Sequence, residues 1–188
     1  MDVSETMIGE ARRRGLDEAF VADAEDLPFP DSTFDGSWAD RTFQHLARPE
    51  RVLAELVRVT KPGGRVVVVD PDYDTQVVDI HDQDLARRVL RFRADNALRN
   101  GTLAHRLGGL FRRAALEDVE VEAYTVVLRD PTALDNALGL RDWAGIAHDR
   151  GFLAAEDVSA WEREIDAAVA EGRFLYSFSL FATSGVRA

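Results

Sequence analysis

A run of four consecutive valines, Val66 to Val69, limits the possible folds more than any other feature of this sequence. A strand that is apolar on both faces is typical of the middle of a parallel sheet that helices cover on each side. With 188 residues, of which 46% are apolar and 30% charged, the chain has the size and composition of one globular domain with a substantial core. We therefore expect the strand Arg65–Asp70 to lie at the centre of an α/β domain.

The elements around this strand follow one another as βα units with a β-rich end. The helix before it has Pro49 in its first turn and an apolar stripe at 52–57, and it ends at the turn Lys61-Pro62-Gly63-Gly64. Periodicity predicts the others: a helix at 4–14, short strands at 19–22 and 34–39, helices at 83–100 and 103–115, a strand at 119–127, a largely helical segment at 132–172 and a strand at 174–181. Residues 1–188 are therefore expected to form a single domain, with 132–172 as a helical insertion before the last strand.

The charge balance disfavours two classes of partner. Asp and Glu number 34 against 23 Lys and Arg, a net charge of −11, so phosphate backbones and anionic lipids repel the chain on average. The absence of cysteine excludes disulfides and thiolate metal sites, and the first residues lack the layout of a signal peptide. We predict a cytoplasmic protein with no nucleic-acid or membrane partner.

Common catalytic and metal-binding motifs do not occur in this sequence. The motifs of dinucleotide binding, P-loop chemistry, serine hydrolysis and zinc proteolysis are all missing. The run Asp70-Pro71-Asp72-Tyr73-Asp74 begins like a calcium loop, but Thr75 stands in place of its glycine and His81 in place of its glutamate. The four histidines show no helical pairing, so no metal site is predicted.

Three segments of the sequence, taken together, form a pattern that is more specific than any one of them alone. They are Asp2-Val3-Ser4-x-x-Met7-Ile8, then Asp23-Ala24-Glu25-Asp26-Leu27-Pro28-Phe29-Pro30-Asp31-Ser32-Thr33-Phe34-Asp35, then Glu55-x-x-Arg58-Val59-x-Lys61-Pro62-Gly63-Gly64-Arg65. Together they resemble the small-molecule group of class I, Rossmann-like methyltransferases that use S-adenosylmethionine (SAM), also called methyltransferase type 11. The resemblance implies an enzyme that transfers a methyl group from SAM to a small-molecule acceptor.

The resemblance also implies cofactor-binding residues. Asp2 matches the family's acidic residue for the ribose, and Asp23-Ala24 match the pair that reads the adenine. A carboxylate suits both the hydroxyls and the amine as an acceptor. Val3 and Met7 match residues near the ring. Either Asp could instead be a simple turn or helix-start residue.

A second group follows the family's fourth strand. Ala39, Asp40 and Arg41 match the place where the family meets the methionine part of SAM and the acceptor. His45 matches a histidine that the family often carries in the helix-entry loop, and it is our candidate catalytic residue, with pocket shaping as the alternative. Asp70 and Tyr73 are further candidates for proton removal.

The three tryptophans are expected to be packing residues rather than clamps on a substrate. They are Trp38, Trp143 and Trp161. In the family, the insertion that holds Trp143 tends to cover the acceptor, so the segment 132–172 is expected to set the acceptor's shape.

One part of the family pattern is missing, namely the glycine-rich turn after the first strand, whose backbone amides approach the methionine end of SAM. The sequence opens at the end of the family's second strand. Because the family's strand order is 3-2-1-4-5-7-6, we expect an incomplete Rossmann-like methyltransferase sheet that retains strands 3, 4, 5, 7 and 6. The strand at 19–22 should then lack neighbours, and the edge of the strand at 34–39 should be bare.

Two hypotheses account for this missing part. In the first, the coding frame starts too late or was truncated, so that the domain is N-terminally truncated and the function is methyl transfer. In the second, the chain is a non-catalytic remnant or a partner-dependent module that retains the acceptor-binding half.

Overall fold

The computed structural model describes residues 1–188, except the side chain of Ala137, and is built on a four-stranded mixed sheet. The sheet order is β1-β2-β4-β3; β1 runs parallel to β2, whereas β4 is antiparallel to both of its neighbours. The predicted α/β class is confirmed. The strands are β1 (Phe34–Asp40), β2 (Thr60–Val78), β3 (Leu116–Leu128) and β4 (Tyr176–Arg187).

One helix precedes the first strand, and the other helices occupy the connections between the strands. Three of them lie in the segment 132–172 that the sequence predicts to be helical, and a rare π-helix extends the first helix after β2. Among the described residues, none of the helices combines the length and apolarity that a membrane span requires. The elements are α1 (Glu5–Arg13), α2 (Pro49–Val59), α3 (Gln83–Phe92), α4 (Leu107–Arg113), α5 (Pro131–Leu138), α6 (Asp142–Asp149) and α7 (Ala155–Ala170), with 3-10 turns at Phe43–His45 and Ala104–Arg106 and the π-helix at Arg93–Ala97.

The valine run is part of β2. This strand lies between β1 and β4 and is therefore a central strand, as predicted. Val66 and Val68 are fully buried, in a cluster with side chains of α2 and α4. Val67 and Val69 point to the other face and are only partly buried. The expectation of a parallel sheet covered on both faces is therefore wrong in two respects: β4 runs antiparallel, and the helices on the second face lie farther along β2.

Two predicted local features differ in the structure. The segment 19–22 forms no strand of the sheet, because its only ladder contact is an isolated parallel bridge between Asp2 and Val21. The sequence Lys61–Gly64 lies inside β2 as a bulge, since Phe34 pairs with Thr60 and Gly36 already with Arg65. A Cβ at Gly64 would lie 2.6 Å from the carbonyl oxygen of Asp35, so the close approach requires glycine there.

A second apolar cluster joins α3, α6 and α7 to the far end of β2 and the start of β4. Trp161 is fully buried and donates its indole N–H to the carbonyl of Leu140 at 3.0 Å. Trp143 stacks on it with 6.4 Å between the rings. The packing role predicted for these two tryptophans is confirmed. Trp38 is 70% exposed, so its predicted packing role is wrong: it lies on the face of β1 opposite α2.

Arg58 fastens the segment before β1 to α2. Its guanidinium donates to the carbonyl oxygens of Phe29 at 2.8 Å and Leu27 at 3.0 Å, and to the carboxylate of Glu55 at 2.7 Å. Glu55 in turn accepts the backbone N–H of Leu27 at 2.8 Å. One side chain therefore holds a turn-rich stretch that has no strand or helix of its own.

We expect Arg58→Gln to lower the free energy of unfolding by about 1–3 kcal/mol, because charged donors to buried or half-buried carbonyls are lost. Urea unfolding measures the loss, and hydrogen exchange should quicken selectively over residues 27–33. Arg51→Gln, an exposed change on the same helix, is the matched control. Equal effects of the two substitutions would contradict this account.

Candidate functional site

Asp70 organises the loop that follows β1. The residue is 1% exposed, and its carboxylate accepts the backbone N–H groups of Phe43 at 3.0 Å and Gln44 at 3.3 Å. Burial raises the pKa of Asp70 to about 7, although these same donors favour the charged form. With both oxygens used inside the protein, Asp70 positions the loop rather than meeting a substrate.

The segment after the π-helix closes over the same loop. Asn100 donates its side-chain amide to the carbonyls of Phe43 at 3.0 Å and Leu46 at 2.7 Å. Next to it, the carbonyl of Gly101 accepts the backbone N–H of Tyr73 at 2.9 Å. The loop after β1, residues 70–73 of β2 and residues 100–101 therefore form one connected unit beside the carboxyl end of β1.

One buried hydrogen-bond acceptor in this unit has no partner among the described residues. Gln44 is buried, and its Nε2 donates to the carbonyl of Arg41 at 3.1 Å. Its Oε1 has no hydrogen-bond partner among the described residues. A buried amide oxygen without a partner is uncommon and often marks a place where a ligand or water donates.

The structure brings the two predicted acidic residues for SAM onto neighbouring segments. The bridge between Asp2 and Val21 sets residue 2 beside residue 21, two positions before Asp23. One oxygen of Asp2 accepts the Ser4 N–H at 2.8 Å, and one oxygen of Asp23 accepts the Glu25 N–H at 2.9 Å. Both carboxylates are exposed, and each keeps its second oxygen free of partners among the described residues.

The apolar members of this group lie nearby on the surface. Val3 is 70% and Met7 58% exposed, whereas Ala24 is half-buried against the α2 cluster. Asp2 and Met7 share the lining of a surface cavity of about 680 Å³ beside α1. Exposed apolar side chains next to free carboxylates leave room for a ligand with both apolar and hydroxyl groups.

The second predicted group lies at the end of β1. Ala39 packs against the α2 cluster, while Asp40 and Arg41 form an exposed ion pair at 3.3 Å. Arg41 has a left-handed backbone, with φ of 48°, and donates its N–H to the carbonyl of Val69 at 2.7 Å. Such strain in a residue other than glycine is found mainly where the surroundings impose it, often at functional sites. His45 is exposed, with no ring hydrogen bond to the described residues.

A cavity that sequence reasoning missed opens beside the end of β2. Its volume is about 640 Å³, and the π-helix forms part of its wall. Single π-helical turns are rare and frequent at functional sites. The apolar residues that line the cavity are Tyr73, Leu90, Phe92, Ala94, Phe152 and Leu153. The charged residues that line it are Asp74, Arg87, Arg88, Arg91 and Asp95.

Arg93 holds one wall of this cavity in place. Its guanidinium carbon lies 4.2 Å from the centre of the Tyr73 ring and 4.3 Å from that of Trp143. It donates to the side-chain oxygen of Gln76 at 3.0 Å, and that oxygen also accepts the hydroxyl of Tyr176 at 2.8 Å. A cation between two aromatic rings fixes the ring of Tyr73 where it faces the cavity.

A carboxylate–histidine pair, also missed, lies near Asp74 of the cavity wall. Atoms of Asp72, Asp74 and His105 lie within 4.8 Å of one another, although Asp72 and His105 are not among the residues that line the cavity. Asp72 is fully buried, and its Oδ2 lies 2.9 Å from the backbone N of His105 and 2.5 Å from Nδ1 of the same residue. The side chain of His105 is 44% exposed. Because 33 residues separate the two along the chain, no local sequence pattern could have indicated the pair.

Comparisons with known proteins point to one family. The profile of a methyltransferase domain family matches residues 1–68. A demethylmenaquinone methyltransferase of Paenarthrobacter aurescens is 41% identical over 70 residues, which cover 37% of this chain and 28% of that protein. An uncharacterized 37.1 kDa transposon protein of Streptomyces fradiae is 35% identical over 165 residues, which cover 86% of this chain and 48% of that protein. The chain thus spans half or less of the length of these curated relatives.

Solved structures agree on the fold. A putative methyltransferase from Bacillus halodurans superimposes with a TM-score of 0.61 and 17% identity, covering 99% of this chain and 80% of that one. The chain has the fold of the class I, Rossmann-like methyltransferases. A SAM-dependent methyltransferase from Thermotoga maritima, described as a possible histamine N-methyltransferase, gives 0.55 and 21% over 98% of this chain and 70% of that one. Among the strands expected from the family, those at 34–39, 65–70, 119–127 and 174–181 form the sheet of this methyltransferase fold.

The raised pKa of Asp70 predicts a pH dependence of stability. The unfolded carboxyl ionises near pH 4, whereas the folded one ionises near pH 7, so stability falls as the pH rises between these values. Asp70→Asn removes this dependence. The stability of the wild type relative to the variant should fall by about 2–4 kcal/mol over that interval, at about 1.4 kcal/mol per pKa unit.

Urea midpoints measured at each pH give this comparison. Asp118→Asn, an exposed change on β3, is the control and should run parallel to the wild type. Parallel curves for wild type and Asp70→Asn would show that the carboxyl is ionised in the folded protein throughout the interval.

Proposed function

We propose that this chain takes part in methyl transfer from SAM to a small-molecule acceptor. The observation that carries the proposal is the gathering of polar groups at the carboxyl end of β1 and on the adjacent part of β2, since α/β folds bind their ligands at the carboxyl ends of parallel strands. The match of a methyltransferase family profile to residues 1–68 and the curated methyltransferase with 41% identity over 70 residues support the same reaction class.

The residues of the chain suit the ribose and adenine parts of SAM. Asp2 and Asp23 lie on bridged segments, and each has one carboxylate oxygen available to accept a hydroxyl or amine proton. Val3 and Met7 offer exposed apolar contact beside them. We assign these four residues, with Ala24, to the adenosine end.

The residues at the end of β1 suit the methionine part of SAM. The carboxylate of Asp40 and the unpartnered Oε1 of Gln44 are acceptors for an ammonium group, while the guanidinium of Arg41 can pair with a carboxylate. Asp70 holds this loop through two backbone N–H groups and so fixes where these polar atoms stand. When bound, SAM supplies an electrophilic methyl group on a sulfonium centre.

The 640 Å³ cavity is the candidate acceptor site. It lies next to the end of β2, and its volume falls in the ordinary range for small-molecule pockets. Its walls combine aromatic and aliphatic side chains with a charged rim. Most of the acceleration in methyl transfer comes from alignment of the two reactants and exclusion of water, which such a pocket provides.

Calorimetric titration of the full chain with S-adenosylhomocysteine tests the adenosine assignment. Asp2→Asn and Asp23→Asn should each weaken binding about tenfold, or about 1.4 kcal/mol, because a charge-assisted hydrogen bond becomes a neutral one. The asparagine oxygen can still accept the local backbone N–H, so α1 and the following turn should remain intact, which circular dichroism checks.

Asp26→Asn, an exposed change two residues beyond Ala24, is the matched control and should bind like the wild type. Absence of binding by the wild-type chain would overturn the proposal and favour a non-catalytic module.

A further inference from the structure

Arg93 carries a buried positive charge that the chain does not neutralise. The residue is 6% exposed, and it is the only buried lysine or arginine among the described residues. Its contacts are the side-chain oxygen of Gln76 and the rings of Tyr73 and Trp143, and no carboxylate of the described residues forms an ion pair with it. Since buried charges in proteins are normally paired, the position of Arg93 suits an anion that comes from outside the chain.

One edge of the Arg93 guanidinium has no partner. Nη1 donates to Oε1 of Gln76 at 3.0 Å, whereas Nε and Nη2 have no hydrogen-bond partner among the described residues. These two nitrogens are not sealed from solvent, in contrast to Nη2 of Arg173. The N–H groups of Nε and Nη2 lie side by side in the guanidinium plane, which is the arrangement that fits the two oxygens of a carboxylate.

The immediate neighbours of Arg93 form part of the wall of the 640 Å³ cavity. The guanidinium carbon lies 4.2 Å from the centre of the Tyr73 ring, and Nη1 lies 3.0 Å from Oε1 of Gln76; both of these residues line the cavity. Phe92 and Ala94, which precede and follow Arg93 in the chain, also line it. A group bound against this wall therefore lies about one side chain away from an unpaired positive charge.

The other arginines at the cavity already have carboxylate partners. The pairs are Arg87 with Asp84, Arg88 with Asp157, and Arg91 with both Asp74 and Asp95. All three arginine side chains are exposed, so solvent and salt screen their charges. Arg93 is therefore the charge at this cavity that can distinguish an anionic ligand from a neutral one.

We propose that the 640 Å³ cavity binds a small molecule with a flat aromatic body and one carboxylate, and that Arg93 pairs with this carboxylate. Tyr73, Phe92 and Phe152 offer ring contacts to the aromatic body. One unpaired positive charge is balanced by a single negative charge, which favours a carboxylate over a phosphate with its nearly two charges. The carboxylate site stands independently of methyl transfer, whereas the assignment of this ligand as the methyl acceptor rests on the proposed function.

Two probes of nearly equal shape test the charge preference. 2-Naphthoate and 2-naphthamide share one ring system and differ in whether the attached group is charged. Calorimetric titration of the full chain should show that 2-naphthoate binds about tenfold more tightly or better, because a charge-assisted pair with the guanidinium replaces a neutral contact. Equal affinities, or no binding of either probe, would overturn the proposal.

The place of binding can be measured in the wild type. Nuclear Overhauser contacts should appear between the naphthalene protons of bound 2-naphthoate and the rings of Tyr73 and Phe152, which line the cavity. Binding without these contacts would place the probe elsewhere and overturn the proposal.

Substitution of Arg93 tests whether this residue holds the carboxylate. Arg93→Met removes the charge but keeps a long unbranched side chain beside the two rings, and such a replacement of a buried charge is often neutral or stabilising. The variant should unfold in urea no earlier than the wild type, and it should bind 2-naphthoate as weakly as 2-naphthamide. Arg99→Met, an exposed change outside the cavity, is the matched control and should keep the preference for 2-naphthoate. An unchanged preference in Arg93→Met would overturn the assignment.

The outcomes keep this inference apart from the proposed function, because the naphthoate titrations contain no S-adenosylhomocysteine. A chain that binds 2-naphthoate through Arg93 but does not bind S-adenosylhomocysteine would refute the proposed function and confirm the carboxylate site. A chain that binds S-adenosylhomocysteine but shows no preference for 2-naphthoate would refute the carboxylate site alone.

Discussion

The burial of two carboxylates on β2, those of Asp70 and Asp72, imposes a requirement that the rest of this end of the molecule meets. A buried carboxylate without donors costs several kcal/mol, so each must be supplied with N–H groups. The loop after β1 supplies Asp70 through Phe43 and Gln44, and the turn before α4 supplies Asp72 through His105. Two segments that are remote in sequence are thereby drawn to one end of the sheet.

The same strand also connects the two apolar clusters. Val66 and Val68 lie in the cluster of α2 and α4, whereas Val78 lies in that of α3, α6 and α7. The buried carboxylates stand between these clusters, on a strand that is paired on both sides. Polar groups on such a rigid element keep their geometry better than groups on loops, and the proposed methyl transfer requires such geometry because two reactants must be aligned.

Much of the fold could be predicted because its signals are local. The apolar stripe of α2, the valines of β2 and the alternation in β3 and β4 all appear within a few residues of sequence. The segment 19–22 failed as a strand because a strand needs neighbours, and Val21 finds only Asp2. Trp38 is apolar but exposed, since burial depends on which helix crosses that face of the sheet and not on the residue itself.

The sequence by itself determined the order of the elements, the central place of β2 and the acidic positions at its end, because these follow from periodicity and from the chemistry of neighbouring residues. Resemblance to a family added the expected neighbourhood of Asp2 and Asp23. Only the tertiary structure decided that Asp72 meets His105, that Arg93 lies between Tyr73 and Trp143, and that a cavity opens beside them. These contacts join residues far apart in the chain, and their free energy depends on how whole elements pack, which no local pattern records.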